Sequence, residues 1–228
     1  MSFLNNYFQE KNNIKKETFA VQEIAVEIEY YKFIQESGSK KMNDVIDATD
    51  RLLNAIRNPK NKYSDAEIEL DLHKITWLFL AGTPTTKYTT LNTSGNFEYI
   101  SSSNLRHSLL QYHADVEKLV QFEEIQVRYV DLVVRPFLNK NMDRISMEAN
   151  TFVPNLDSVV IKRYPSPFTY NINDLINHRE FANILVDLKF HTRRLMFPYN
   201  RIGKGINHLR DLITKDYPNV SLKSYKPF

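Results

Sequence analysis

The most constraining feature of the chain is the return of apolar residues at every third or fourth position through stretches too long for strands. Leu105, Leu109, Tyr112, Val116, Leu119, Ile125, Val130, Val133 and Phe137 keep this spacing for more than thirty residues. Phe181, Leu185, Leu188, Leu195, Ile202, Ile206, Leu209 and Ile213 do the same in a helix predicted from about Asn177 to Lys215. Near the start, Tyr7, Ile14, Val21 and Ile28 stand seven apart, with Phe3, Ile24 and Tyr31 on the adjoining rung, which predicts one helix from Phe3 to about Glu36. Glu10 and Glu17 interrupt that seam, so a true zipper is not expected. The later turns are predicted to pack into a bundle and the first turns to project as a stalk.

Punctuation residues divide the rest. Gly38, between Ser37 and Ser39, predicts a stop and a turn after the first helix. Met42, Val45, Ile46, Leu52, Leu53 and Ile56 then form a short return helix closed by Asn58-Pro59. Ser64-Asp65-Ala66-Glu67 has the capping-box pattern, in which hydroxyl and carboxylate each take a backbone amide. It opens a third helix through Ile68, Leu72, Ile75 and Phe79, ended by Gly82, Thr83 and Pro84. Residues 83–104 read as a polar loop with a helical turn around Leu91 that closes at Gly95. Ile100 and Leu105 are placed to staple an N-cap at Ser101, the three consecutive serines leaving the exact cap open, and Pro136 is expected to end or kink the helix that follows. Pro198, Gly203 and Gly205 are expected to bend or break the last helix.

Between the two longest patterns, residues 140–172 lose periodicity and gather Pro154, Pro165 and Pro167 with Phe152, Tyr164, Phe168 and Tyr170. One β-like run stands at Val159 to Ile161. The fold class is therefore all-α: an antiparallel bundle of long helices with an irregular proline- and aromatic-rich segment before the last helix. The expected organisation is a bundle with a stalk over 1–140, a connecting segment over 141–172, and a bent last helix over 173–228 that packs on the bundle as one domain.

Composition narrows the chemistry. At 228 residues and 42% hydrophobic, the chain can bury a core without disulfides or metal. The absence of cysteine removes thiolate catalysis, Cys-type zinc sites and iron-sulfur clusters. A net charge of +3 is too slight to imply nucleic acid. The longest run without Asp, Glu, Lys or Arg, Ile75 to Thr86, falls well short of the roughly 18 apolar residues of a membrane span. No Glu-x-x-His, nucleophile elbow, Walker loop or zinc-protease spacing occurs. Glu69 and His73, four apart, read as a surface pair. No metal, cofactor or catalytic residue is assigned; an enzyme with dispersed residues would leave no local trace.

The last helix carries Lys189, Arg193, Arg194, Arg201, Lys204 and Arg210. Asp187 and Asp211 interleave and no aromatic platform accompanies the charges, so this reads as a solvated face. A ligand, if one binds, is expected where anion-binding groups converge: Ser94, Arg106 and Tyr112 with Arg193 and Arg194 of the basic helix.

From Tyr88-Thr89-Thr90-Leu91-Asn92-Thr93-Ser94-Gly95-Asn96-Phe97-Glu98-Tyr99-Ile100, through Leu105-Arg106, to Arg135-Pro136-Phe137, the chain resembles a known family. These are uncharacterised single-pass membrane proteins of Gram-negative bacteria with a helical domain of unknown function. In them a Leu-x-x-Ser-Gly turn precedes a long helix opened by Leu-Arg and ending near Arg-Pro-Phe. Leu4-Asn5-Asn6-Tyr7 is similar to the Ile-Asn-Asn-Trp with which the family's membrane helix meets its soluble domain. The resemblance covers residues 4 to 140. It implies an inner-membrane anchor and a periplasmic domain; because this sequence starts Met1-Ser2-Phe3, the anchor is expected to be truncated or lost, and the chain as given to be soluble. It implies no activity. The functional expectation is a non-catalytic, tethered helical module for sensing or protein interaction, with a membrane or envelope protein as partner. The alternative is a structural scaffold that forms a homodimer through the first helix.

Overall fold

Local signals set most helix starts. Ser64 Oγ accepts from the Glu67 amide at 3.3 Å while Glu67 Oε2 accepts from the Ser64 amide at 2.8 Å, the reciprocal pair the sequence predicts. The computed structural model describes residues 2–58, 63–78, 89–90, 93, 95–143, 147–149, 161–163 and 171–223. Its helices are α1 (Ser2–Arg57), α2 (Asp65–Lys74), α3 (Ser103–Tyr129), α4 (Arg135–Asn141), α5 (Ile172–Ile176) and α6 (Arg179–Asp216). A 3₁₀ turn covers Asn96–Tyr99 and a π-helical turn covers Val130–Val134. One small ladder, β1 (Met147–Ala149) with β2 (Ile161–Arg163), pairs antiparallel with Glu148 opposite Lys162. The chain is an all-α bundle.

Several expected boundaries move. Gly38 does not end α1, which runs on to Arg57 and absorbs the return helix into itself. A mid-helix glycine costs about 1 kcal/mol. The buried Met42, Val45, Ala48 and Leu52 just beyond outweigh that cost, at about 1.5–3 kcal/mol for each large side chain. Helix α2 ends at Lys74, with Ile75 as its cap, earlier than the pattern through Phe79 implies. The N-cap of α3 is Ser102, not Ser101: its Oγ accepts from the Leu105 amide at 3.2 Å. Ile100 and Leu105 are both fully buried beneath it.

Pro136 neither ends nor breaks the helical run. In a regular α-helix its ring would collide with the Leu132 carbonyl. The π turn relieves this: the Arg135 amide reaches back to the Val130 carbonyl, and Pro136 sits in the first turn of α4, where its missing N–H costs nothing. Pro198 likewise lies inside an unbroken α6, with Leu195, Tyr199 and Ile202 buried on either side.

The chain divides into two compact units. Unit 1 comprises Met1–Ser39, Leu80–Gln121 and Phe197–Phe228; unit 2 comprises Lys40–Phe79 and Phe122–Met196. Gly38 and Pro198 thus stand beside unit boundaries, marking where α1 and α6 pass from one unit to the other without stopping. In unit 1 the core joins Val21, Ile24 and Ile28 of α1, Leu105, Leu109 and Leu119 of α3, and Tyr199, Ile206 and Leu209 of α6. Residues 7–16 of α1, including Tyr7 and Ile14, are exposed, and burial begins at Ala20. Here α6 runs antiparallel to α1, as Glu29 meeting Arg210 and Gln35 meeting Tyr199 show. It is antiparallel to α3 as well, through Ser102–Asp216 and Asp115–Arg201. Helices α1 and α3 are parallel to each other, since Glu17 meets Ser101 and Tyr31 meets Tyr112.

In unit 2, Leu52, Leu53, Leu72, Val130, Val134, Phe181, Leu185 and Leu188 form one core. Phe137 stacks on Phe181 within it, ring centroids 5.6 Å apart.

Candidate functional site

The residues expected to form a ligand site are divided between the two units. Tyr112 and Arg106 belong to unit 1, Arg193 and Arg194 to unit 2, and Ser94 lies outside the described residues. So do Leu91, Phe152, Tyr164, Phe168 and Tyr170. Gly95 takes the left-handed backbone its place in the turn requires, with φ 72°.

Arg106 donates through Nη1 to the Ile100 carbonyl at 2.7 Å, tying down the entry to α3. Tyr112 is buried between α1 and α6, and its hydroxyl has no hydrogen-bond partner. Burial, with the neighbouring Tyr31 phenol and the Glu27 carboxylate, pushes its pKa well above the usual tyrosine value. Two clefts share the Tyr31 and Tyr112 rings. One is walled by Ile34, Gln35 and Tyr199, the other by Ile24, Leu109 and His113. The space left for the centre of a water-sized sphere is about 10 Å³ in the first and about 20 Å³ in the second. That is room for about one water beside the orphaned hydroxyl and not for a metabolite.

The basic last helix is solvated in part, with Arg193, Arg194, Arg201 and Lys204 exposed, but most of its cations also have partners. Arg210 Nε donates to Glu29 at 2.5 Å and Arg201 Nε to Asp115 at 2.8 Å, and both carboxylates are buried. Lys189 pairs with Asp50, Arg193 stands 4.0 Å from the same carboxylate, and Arg194 lies over the Phe122 ring at 4.9 Å. Most of these cations hold helices together, because acidic residues of α1 and α3 face them. A bidentate pair of the same kind joins the half-exposed Arg51 to the buried Asp71, at 2.8 and 2.6 Å. Glu69 is buried and His73 half-buried, so the expected surface pair is an interior one. Among the described residues no group of three or more His, Asp or Glu is placed to hold a metal ion, and no helix is long and apolar enough to cross a membrane.

What the sequence reading passed over is the apolar content of outer faces. Aromatics do accompany the basic helix: Phe190 is 61% exposed, beside an Arg193 side chain 60% exposed. With Val186, also exposed, they follow i, i+4, i+7 spacing along one stripe of α6 in unit 2. The signal was legible in principle, since Val186 and Phe190 fall out of phase with the core rung Phe181, Leu185, Leu188 and Leu195. No family model, curated protein or solved structure matches the chain.

Proposed function

We propose that this protein is a helical interaction module that works by docking a partner protein, rather than by chemistry on a substrate. The outer stripe of α6 in unit 2 is the docking face. Val186 and Phe190 offer an apolar anchor, and Arg193 supplies a cation at the adjoining turn. A partner helix with an apolar stripe flanked by acidic residues is the complementary shape and charge. The exposed Phe190 carries the reading, because solvent-facing phenylalanine beside an exposed guanidinium gains most when covered. The small volume of the Tyr112 clefts is in keeping with it. The membrane anchor and periplasmic placement implied by the family resemblance are not needed for this activity.

The test is in-cell crosslinking of the chain beside its Phe190→Ser/Arg193→Glu variant. Both positions are exposed and the Arg193–Asp50 pair is long at 4.0 Å, so the variant is expected to fold with a loss of about 1 kcal/mol, checked by circular dichroism. A protein captured by the parent and reduced at least tenfold with the variant supports the proposal. The same captured set from both overturns it.

A further inference from the structure

The first half of α1 carries a second apolar stripe, away from its core face and independent of α6. Phe8, Phe19, Val26 and Tyr30 are all exposed, Phe8 by 63% and Phe19 by 67%. Their spacing of eleven, seven and four places them within about 40° of one another around the helix. The seam that the heptad pattern suggests for a dimer is elsewhere: Val21 and Ile28 are buried in the chain's own core. The charges along the exposed stripe are segregated. Lys11, Lys15 and Lys16 precede Phe19, whereas Glu23 follows it, with Glu27 further round the helix at the edge of the Tyr31–Tyr112 cleft. Glu17 and Glu29 meet Ser101 and Arg210 within the chain, and Lys16 lies against the Tyr99 ring and donates to its hydroxyl at 3.4 Å while remaining exposed.

We infer that the occupant of this stripe is a second copy of the chain, paired antiparallel through α1 about a two-fold axis at Phe19. In that register Phe19 packs on the partner's Phe19 and Phe8 on the partner's Tyr30. Lys16 runs beside the partner's Glu23, and the contact extends over about 33 Å of helix. A parallel register sets Lys15 and Lys16 against their own copies and Glu23 against its own, which is repulsive along the whole stripe. The antiparallel register matches the basic block of each copy to the acidic block of the other, so the sequence is self-complementary as an isologous interface requires.

The absence of native cysteine makes the register directly readable. Under mild oxidation, Phe19→Cys is expected to link to itself. Asn12→Cys and Val26→Cys are each expected to stay unlinked alone and to link when mixed. Light scattering is expected to show a concentration-dependent dimer. Lys16→Glu should raise its dissociation constant about tenfold, and adding Glu23→Lys should restore it. All five positions are at least partly exposed, and circular dichroism checks that the variants fold. A parent that stays monomeric at every concentration overturns the inference. So does self-linking of Asn12→Cys, which reports the parallel register that two chains anchored in one membrane ahead of residue 4 would need. Neither result touches the α6 proposal, whose test reads a different surface.

Discussion

Glu17 shows how much one side chain can join. Its Oε1 accepts from the Ser101 hydroxyl, the Ser101 amide and the Tyr217 hydroxyl, all at 2.6 Å. It thereby ties the early turns of α1 to the entry of α3 and the exit of α6. Partial burial raises its pKa, but the three hydrogen bonds lower it by more, leaving it below the ordinary carboxylate value. Tyr217 moves the other way, raised by burial and by donating to the carboxylate. A depressed folded-state pKa means that the stabilisation is complete above the unfolded carboxylate pKa and is lost as pH falls through the folded value. Glu17→Gln is therefore expected to lower the urea midpoint at neutral pH, with the gap to the parent closing in acid. A gap that stays constant across the acid limb would show that the charge plays no part. None of this was legible locally. The sequence presents Glu17 as a flaw in a heptad seam, and its partners lie 84 and 200 residues away.

At the scale of elements, periodicity located every long helix and the capping box fixed the start of α2, because both are short-range effects. The breakers were misleading for a stated reason. Gly38 and Pro198 carry local penalties of about 1 and about 3 kcal/mol that buried neighbours on both sides exceed, and at Pro136 the π turn removes the collision. The glycines of α6 instead serve packing. A Cβ on Gly203 would meet Gln35 Nε2 at 3.0 Å, and one on Gly205 would meet Tyr112 Cδ2 at 3.4 Å. The second is an ordinary contact, so Gly205→Ala is expected to stabilise by about 0.5–1 kcal/mol through helix propensity alone. Gly203→Ala is expected to gain less, since it displaces the Gln35 amide from Ser39 Oγ and the Tyr199 carbonyl. Chemical denaturation of both variants measures the difference; a destabilised Gly205→Ala would mean that the α3–α6 contact in unit 1 cannot yield at all.

For the whole molecule, the all-α class followed from the sequence because it depends only on the period of the apolar residues. The outer stripes did not follow, because whether Phe190 or Phe19 is covered depends on which helix packs against which face. The division into two units was also invisible, since no linker separates them. Helices α1, α3 and α6 each supply residues to both. Unfolding one unit alone would cut three helices in mid-run, at places without caps. Each cut exposes about four N–H or four C=O groups to resatisfaction. Re-forming the severed turns then repeats a costly nucleation. The units are therefore expected to unfold in a single transition. Leu188 of unit 2 and Leu209 of unit 1 are both fully buried, and truncating either to alanine should cost about 2–5 kcal/mol. Followed by far-ultraviolet circular dichroism in urea, Leu188→Ala and Leu209→Ala are expected to shift the same one midpoint downward. A biphasic curve in which each substitution moves only its own phase would mean that the shared helices do not couple the units, and that each is an independent folding domain.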